Sequence, residues 1–167
     1  MKQFVRKAID KFGVETNRSI TLQRFFSEHN IDHVIDAGAN IGQFGQLISG
    51  KRYKNRIWSF EPVSSVFLAL QDVSRGSQNW NVGQFALGQA DGTLEINVPS
   101  NHSLSSFLRP SALMASYDNI GDLATETVQI KRLDDVLRND PAKKILLKAD
   151  VQGFEKQVLE GATGILD

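Results

Sequence analysis

The sequence predicts an α/β fold: a parallel sheet with helices on both faces, interrupted by a β-rich insertion. Three observations predict it. Apolar strand-like runs alternate with helical periodicity through residues 33–87. The first of those runs, HVIDA at 33–37, is almost wholly apolar, as a strand covered on both faces must be. Period-two alternation then takes over in the middle of the chain, before the α/β pattern resumes near residue 133.

Each element has its own signal. Phe4, Val5, Ala8, Ile9 and Phe12 recur at helical spacing, and Gly13 supplies a stop. A second helix is expected over about 19–29, with Ile20, Leu22, Phe25 and Phe26 on one face. Together these helices form an N-terminal unit, residues 1–30, packed on a domain of residues 31–167. HVIDA leads through a glycine turn into a helix from about Ile41 to Ser49. RIWSFEP at 56–62 reads as a strand stopped by Pro62, and 64–75 as a helix with Ser64 as its cap. WNVGQFAL at 80–87 reads as a third strand. The insertion takes GTLEINVPS at 92–100, with Leu94, Ile96 and Val98 on one face, then 103–110 and 126–133. A short helix at 133–139, a strand at 143–151 and a helix over 153–166 complete the pattern.

Composition limits what such a domain does. The 167 residues carry no net formal charge, so the basic surplus of a nucleic-acid binder is missing. The local cluster Lys51, Arg52, Lys54 and Arg56 reads as a solvated loop. No cysteine is present, which removes disulfides and thiolate zinc sites and is compatible with the cytoplasm. No apolar run approaches the ~20 residues of a membrane span. The N-terminus lacks the continuous apolar core of a signal peptide.

The chemistry concentrates at VIDAGANIGQFG, residues 34–45. A glycine turn before a helix is where dinucleotide folds seat a pyrophosphate. Here the middle glycine of that fingerprint is replaced by Asn40, whose side chain crowds a phosphate, and no Gly-Lys-Ser/Thr follows. Asp36, two residues before Gly38, would repel phosphate and attract a cation. Glu61 ends the next strand, where an acid can accept from both ribose hydroxyls. The pair favours S-adenosyl-L-methionine, a nucleoside with a sulfonium and no phosphate, over NAD.

In the second half, Lys148 and Asp150 alternate onto one strand face near its carboxyl end, where open α/β sheets bind ligands. Lys148 is a candidate ion-pair partner of Asp150. Gly153 permits a sharp exit, and Glu155 suits the first turn of the following helix.

The ordered set VIDAGANIGQFG, SFEP, FALGQADGTLEINVPSN, LSSF, RLDDVL and LLKADVQGFEKQVLEGA resembles the FkbM family of S-adenosylmethionine-dependent methyltransferases. The last block is the specific one, because it is not a generic dinucleotide-fold feature. The resemblance covers about residue 31 to the end. It implies a Rossmann-like class I methyltransferase sheet and O-methylation of a hydroxyl on a sugar, glycan or natural product. It assigns Asp36, Gly38, Ala39 and Asn40 to the methionine end, counts Gly42 among the cofactor-binding residues, and gives Glu61, with Pro62 behind it, to ribose. Ala86 and Leu87 would sit near adenine, and Asp150 and Gln152 would face the sulfonium and the acceptor.

Methyl transfer to an alcohol needs in-line geometry and a base. Asp150 and His102, the latter in SNHSLSSF, are the candidates. His29 and His33 fall at the far end of the first strand. Asp150 with Gln152 is a thin oxygen set, so no metal is expected. The class I sheet continues beyond its fourth strand, and no sequence remains for its C-terminal strands. The chain therefore reads as C-terminally truncated, with an exposed strand edge that invites homo-oligomerisation. The competing readings are a non-catalytic module of the same fold and an NAD-dependent oxidoreductase. The latter lacks a Tyr-x-x-x-Lys dyad.

Overall fold

In the computed structural model, residues 18–49, 55–98, 124–142 and 144–166 are described. They form helix α1 (Arg18–Glu28), strand β1 (His33–Ala37), α2 (Gln43–Ile48), β2 (Arg56–Phe60), α3 (Ser64–Ser74), β3 (Trp80–Gly83), β4 (Ala86–Leu87), β5 (Gly92–Val98), β6 (Ala124–Lys131), α4 (Leu133–Val136), β7 (Ile145–Ala149), α5 (Glu155–Glu160) and α6 (Thr163–Leu166). The expected first helix and the 103–110 segment lie outside the described residues.

The main sheet runs β3-β2-β1-β7, every pair parallel. Alternation along β1 sends Val34 to one face and Ile35 and Ala37 to the other. On the first face Val34 and Ile57 pack with Phe26 of α1, Ile48 of α2, Leu70 of α3 and Trp80. On the second, Ile35, Ala37 and Phe60 pack with Leu133 of α4, Val158 of α5 and Ala162. Both faces of β1 are therefore buried throughout, which is why its sequence carries no polar alternation.

The segment 80–87 departs from the expected single strand. Its first half is β3 in the main sheet, and its second half is β4, which pairs with β6 in a separate sheet of order β4-β6-β5. The chain changes sheets at Gln84-Phe85, and Phe85 stays behind on the Phe60 ring at 4.8 Å. The insertion is an antiparallel β5–β6 pair, with Ile96 opposite Glu126. Ile96 and Val128 bury against Val63 and Val66 of the α3 region, while Leu94 is 41% exposed.

Other boundaries differ for local reasons. Gly42 takes a left-handed φ of 87°, so α2 starts at Gln43 rather than Ile41. The expected 153–166 helix is two short helices divided at Gly161, whose added Cβ would lie 1.9 Å from the Gly88 carbonyl oxygen. Ser64 does not cap α3. Its amide and hydroxyl both donate to Glu126, which ties the insertion to the helix start.

Arg56 is not part of a solvated loop. Its two terminal nitrogens reach the Asp140 carboxylate at 2.9 and 3.1 Å, a bidentate pair. The same carboxylate lies 3.4 Å from Nδ1 of the fully buried His33. Burial lowers the His33 pKa. This cluster sits at the amino ends of β1 and β2.

One polar row crosses the sheet beneath α2. Trp80 Nε1 donates to Ser59 Oγ (3.0 Å), Ser59 to Asp36 (3.4 Å) and Lys148 Nζ to Asp36 (2.7 Å). The indole at one end of that row needs α2 to come close, and Gly45 allows it. A Cβ at Gly45 would fall 2.0 Å from the indole. Glycine to alanine inside a helix ordinarily stabilises by ~1 kcal/mol. Here overpacking, typically about 1–3 kcal/mol, should outweigh that gain and leave a net cost of up to about 2 kcal/mol. Urea unfolding of Gly45→Ala checks this, and a midpoint at or above wild type would contradict it.

Candidate cofactor and acceptor cleft

A cleft of about 330 Å³ opens at the carboxyl ends of β1, β2 and β7. Its first wall is the turn after β1, Gly38, Ala39 and Asn40, continued by Gln43 and Phe44. Glu61 and Pro62 follow β2. Ala86 and Leu87 of β4 and Ile96 of β5 form an apolar side. Lys148, Asp150, Val151 and Gln152 close it from β7.

The turn is set by backbone constraints. Gly38 has φ 71°, and a Cβ there would stand 2.4 Å from the Asp150 carbonyl oxygen. The ends of β1 and β7 therefore approach only across a glycine. Asn40 and Gln152 also adopt left-handed φ, at 52° and 51°, and Gly153 has φ 100°.

Five consecutive backbone N–H groups in this turn already have acceptors. Gly38 and Ala39 donate to the Phe60 carbonyl, both at 3.0 Å, and Gly42 donates to Ala39. Asn40 N–H donates to Glu61 Oε2 at 2.9 Å, and Ile41 N–H to Asn40 Oδ1 at 2.7 Å. The Asn40 side chain folds back on its own turn.

Glu61 is buried, and its second oxygen, Oε1, accepts from Val63 N–H at 3.0 Å. Burial pushes its carboxyl above the ordinary value, against the opposing pull of the Val63 and Asn40 N–H groups. Asp36 is fully buried and pairs with Lys148 rather than leaving Lys148 to Asp150. The register explains the choice, since Asp36 and Lys148 are direct neighbours across β1 and β7. Burial pushes Asp36 up, opposed chiefly by Lys148. Asp150 is exposed and accepts from the Gln152 amide at 3.3 Å.

Most of the residues expected at a ligand come together here. Gly38, Ala39, Asn40, Glu61, Pro62, Ala86, Leu87, Asp150 and Gln152 line one cleft. Asp36 and Gly42 do not. Asp36 lies behind Lys148, and Gly42 packs against Leu70, Val73 and Trp80. Glu155 accepts from Gly153 N–H at 3.0 Å and serves the turn. His102 lies outside the described residues. Sequence reasoning missed Gln43, Phe44, Ile96 and Val151 as lining residues. It also missed that Lys148 faces the cleft and pairs with Asp36. Among the described residues, no three acidic, histidine or cysteine side chains gather as a metal site. No helix among them is long and apolar enough to cross a membrane.

Residues 36–167 match the family model described as the methyltransferase FkbM domain. The chain belongs to the FkbM methyltransferase family. It is 33% identical over 145 residues to Methyltransferase 1 of Beauveria bassiana (strain ARSEF 2860), covering 77% of this chain and 57% of that protein. It is 32% identical over 156 residues to Methyltransferase sdnD of Sordaria araneosa, covering 77% and 59%. The FkbM chain therefore spans a little over half the length of these relatives. The fold is similar to the crystal structure of Methyltransferase FkbM from Methylobacillus flagellatus KT. The TM-score is 0.52 at 19% identity, over 82% of this chain and 30% of that one.

The raised Glu61 pKa has a consequence for stability. The folded state holds the Glu61 proton more tightly than the unfolded chain, so between the two pKa values it binds more protons. The contribution is favourable below the unfolded value and is lost as pH rises through the folded one. Relative to Glu61→Gln, the wild-type chain should lose unfolding free energy as pH climbs through the window above 4.5, the ordinary value. Denaturant titrations of both proteins across that range check it. A difference that is flat, or grows with pH, would contradict the burial argument.

Proposed function

We propose that the cleft binds S-adenosyl-L-methionine and that methyl transfer is directed to a hydroxyl of a small molecule or glycan. One observation carries this reading: Glu61 lies beside a turn whose backbone donors are already used. A dinucleotide needs free N–H groups there for its pyrophosphate. All five, from Gly38 to Gly42, are committed. A cationic nucleoside without phosphates does not need them.

The residues fit such a ligand. Each Glu61 oxygen accepts one backbone N–H and keeps capacity for a ribose hydroxyl. Ala86, Leu87 and Ile96 offer apolar surface for adenine. When bound, the cofactor supplies a methyl group on a positively charged sulfur. Asp150, exposed at the end of β7 and steadied by Gln152, is the group we assign to accept the hydroxyl proton. His102 is the second candidate for that role.

Calorimetric titration tests the reading. The wild-type chain should bind S-adenosylhomocysteine and not NAD. Glu61→Ala should weaken the former about ten-fold or more, as expected for lost hydrogen bonds to a charged group. NAD binding with no response to S-adenosylhomocysteine would favour the oxidoreductase reading. Asp150→Asn should keep nucleoside affinity and lower labelled-methyl transfer to a hydroxyl acceptor by roughly 10²–10⁴-fold. Unchanged transfer would remove Asp150 as the base. Nucleoside binding with no transfer in wild type would favour the non-catalytic module.

A further inference from the structure

We infer that Lys148 receives the α-carboxylate at the amino-acid end of the cofactor; this rests on the S-adenosylmethionine reading above. A carboxylate entering a partly enclosed cleft needs donors, and charged ones serve best. Backbone N–H groups of the glycine turn would be the obvious source. From Gly38 to Gly42 they are spent on Phe60, Glu61, Asn40 Oδ1 and Ala39.

Among the described residues that line the cleft, Lys148 is the one cation. Its ammonium has three protons. One goes to Asp36 Oδ1 at 2.7 Å. The two partners differ in access: Asp36 is 0% exposed and Lys148 27%. The aspartate thus holds the ammonium from the buried side, and the open side of the ammonium belongs to the cleft. The Phe44 ring, 5.6 Å from Nζ, bounds the same spot. Asp36 is then a positioning residue. It fixes the cation that meets the ligand and does not itself meet the ligand's ammonium.

The test compares S-adenosylhomocysteine with its decarboxylated analogue, which differs by the carboxylate alone. The wild-type chain should prefer the carboxylate form by about ten-fold or more. Lys148→Met should abolish the preference, and Lys148→Arg should restore part of it. Lys148→Met leaves Asp36 buried without its partner, so Lys148→Met with Asp36→Asn is measured beside it, with folding of each variant checked by circular dichroism. The wild-type comparison does not depend on either variant. Equal binding of the two ligands to wild type, or an undiminished preference in a folded variant lacking Lys148, overturns the inference and leaves the S-adenosylmethionine reading standing. Binding of neither ligand to folded wild-type chain overturns both.

Discussion

The cleft depends on how the end of β2 holds the turn after β1. The Phe60 carbonyl takes two N–H groups of that turn, and the next residue, Glu61, takes a third through its side chain. With its other oxygen Glu61 also takes the N–H of Val63, immediately before α3. One buried carboxylate therefore fastens the turn after β1 to the start of α3. Among the described residues no lysine or arginine opposes its burial, which raises its pKa even though two N–H groups oppose the shift. Such a group costs stability in the empty fold. It is of most use where a ligand supplies further donors.

The other buried acid is handled differently. Asp36 has its cation at 2.7 Å and a serine hydroxyl on its second oxygen. A buried pair of this kind contributes little net stability compared with apolar residues of the same shape. Losing one partner alone typically costs about 3–5 kcal/mol. The pair thus specifies an arrangement more than it stabilises one. It fixes Lys148 against the sheet, and through Ser59 it joins the Trp80 indole that lies under α2. The charged cluster of Arg56, Asp140 and His33 sits at the opposite, amino end of the strands, away from the cleft.

Much of this was legible in the sequence because the responsible patterns are local. The apolar run of β1, the acids ending β1 and β2 and the helical periodicity of 64–75 required no tertiary information. Asp36 shows the boundary. Its position before the glycine turn was readable, but its partner was not, since only the register of β1 against β7 puts Lys148 beside it. Gly42 closes the turn that resembles a nucleotide fingerprint, and Gly45 follows it in the next helix. Their roles are steric, one against the indole and the other against Leu70, Val73 and Trp80. The split of 80–87 was equally hidden, because both halves have strand composition and the break depends on which neighbour each half pairs with.

That split gives the cleft its shape. Had 80–87 continued along the edge of the main sheet, Ala86 and Leu87 would have run on past the end of β2, whose last residue, Phe60, already pairs with Gly83. By leaving the sheet at Gln84-Phe85, the chain carries them onto β6, whose partner β5 adds Ile96. Glu126, opposite Ile96 in register, binds Ser64 at the start of α3 and so anchors this second sheet to the first. The apolar wall and the polar floor therefore belong to different sheets. The joint between them is the Ser64–Glu126 contact, together with the small core of Val63, Val66, Ile96 and Val128. The apolar surface of Ala86, Leu87 and Ile96 and the buried Glu61 carboxylate are brought together by that joint, and neither sheet alone would present both.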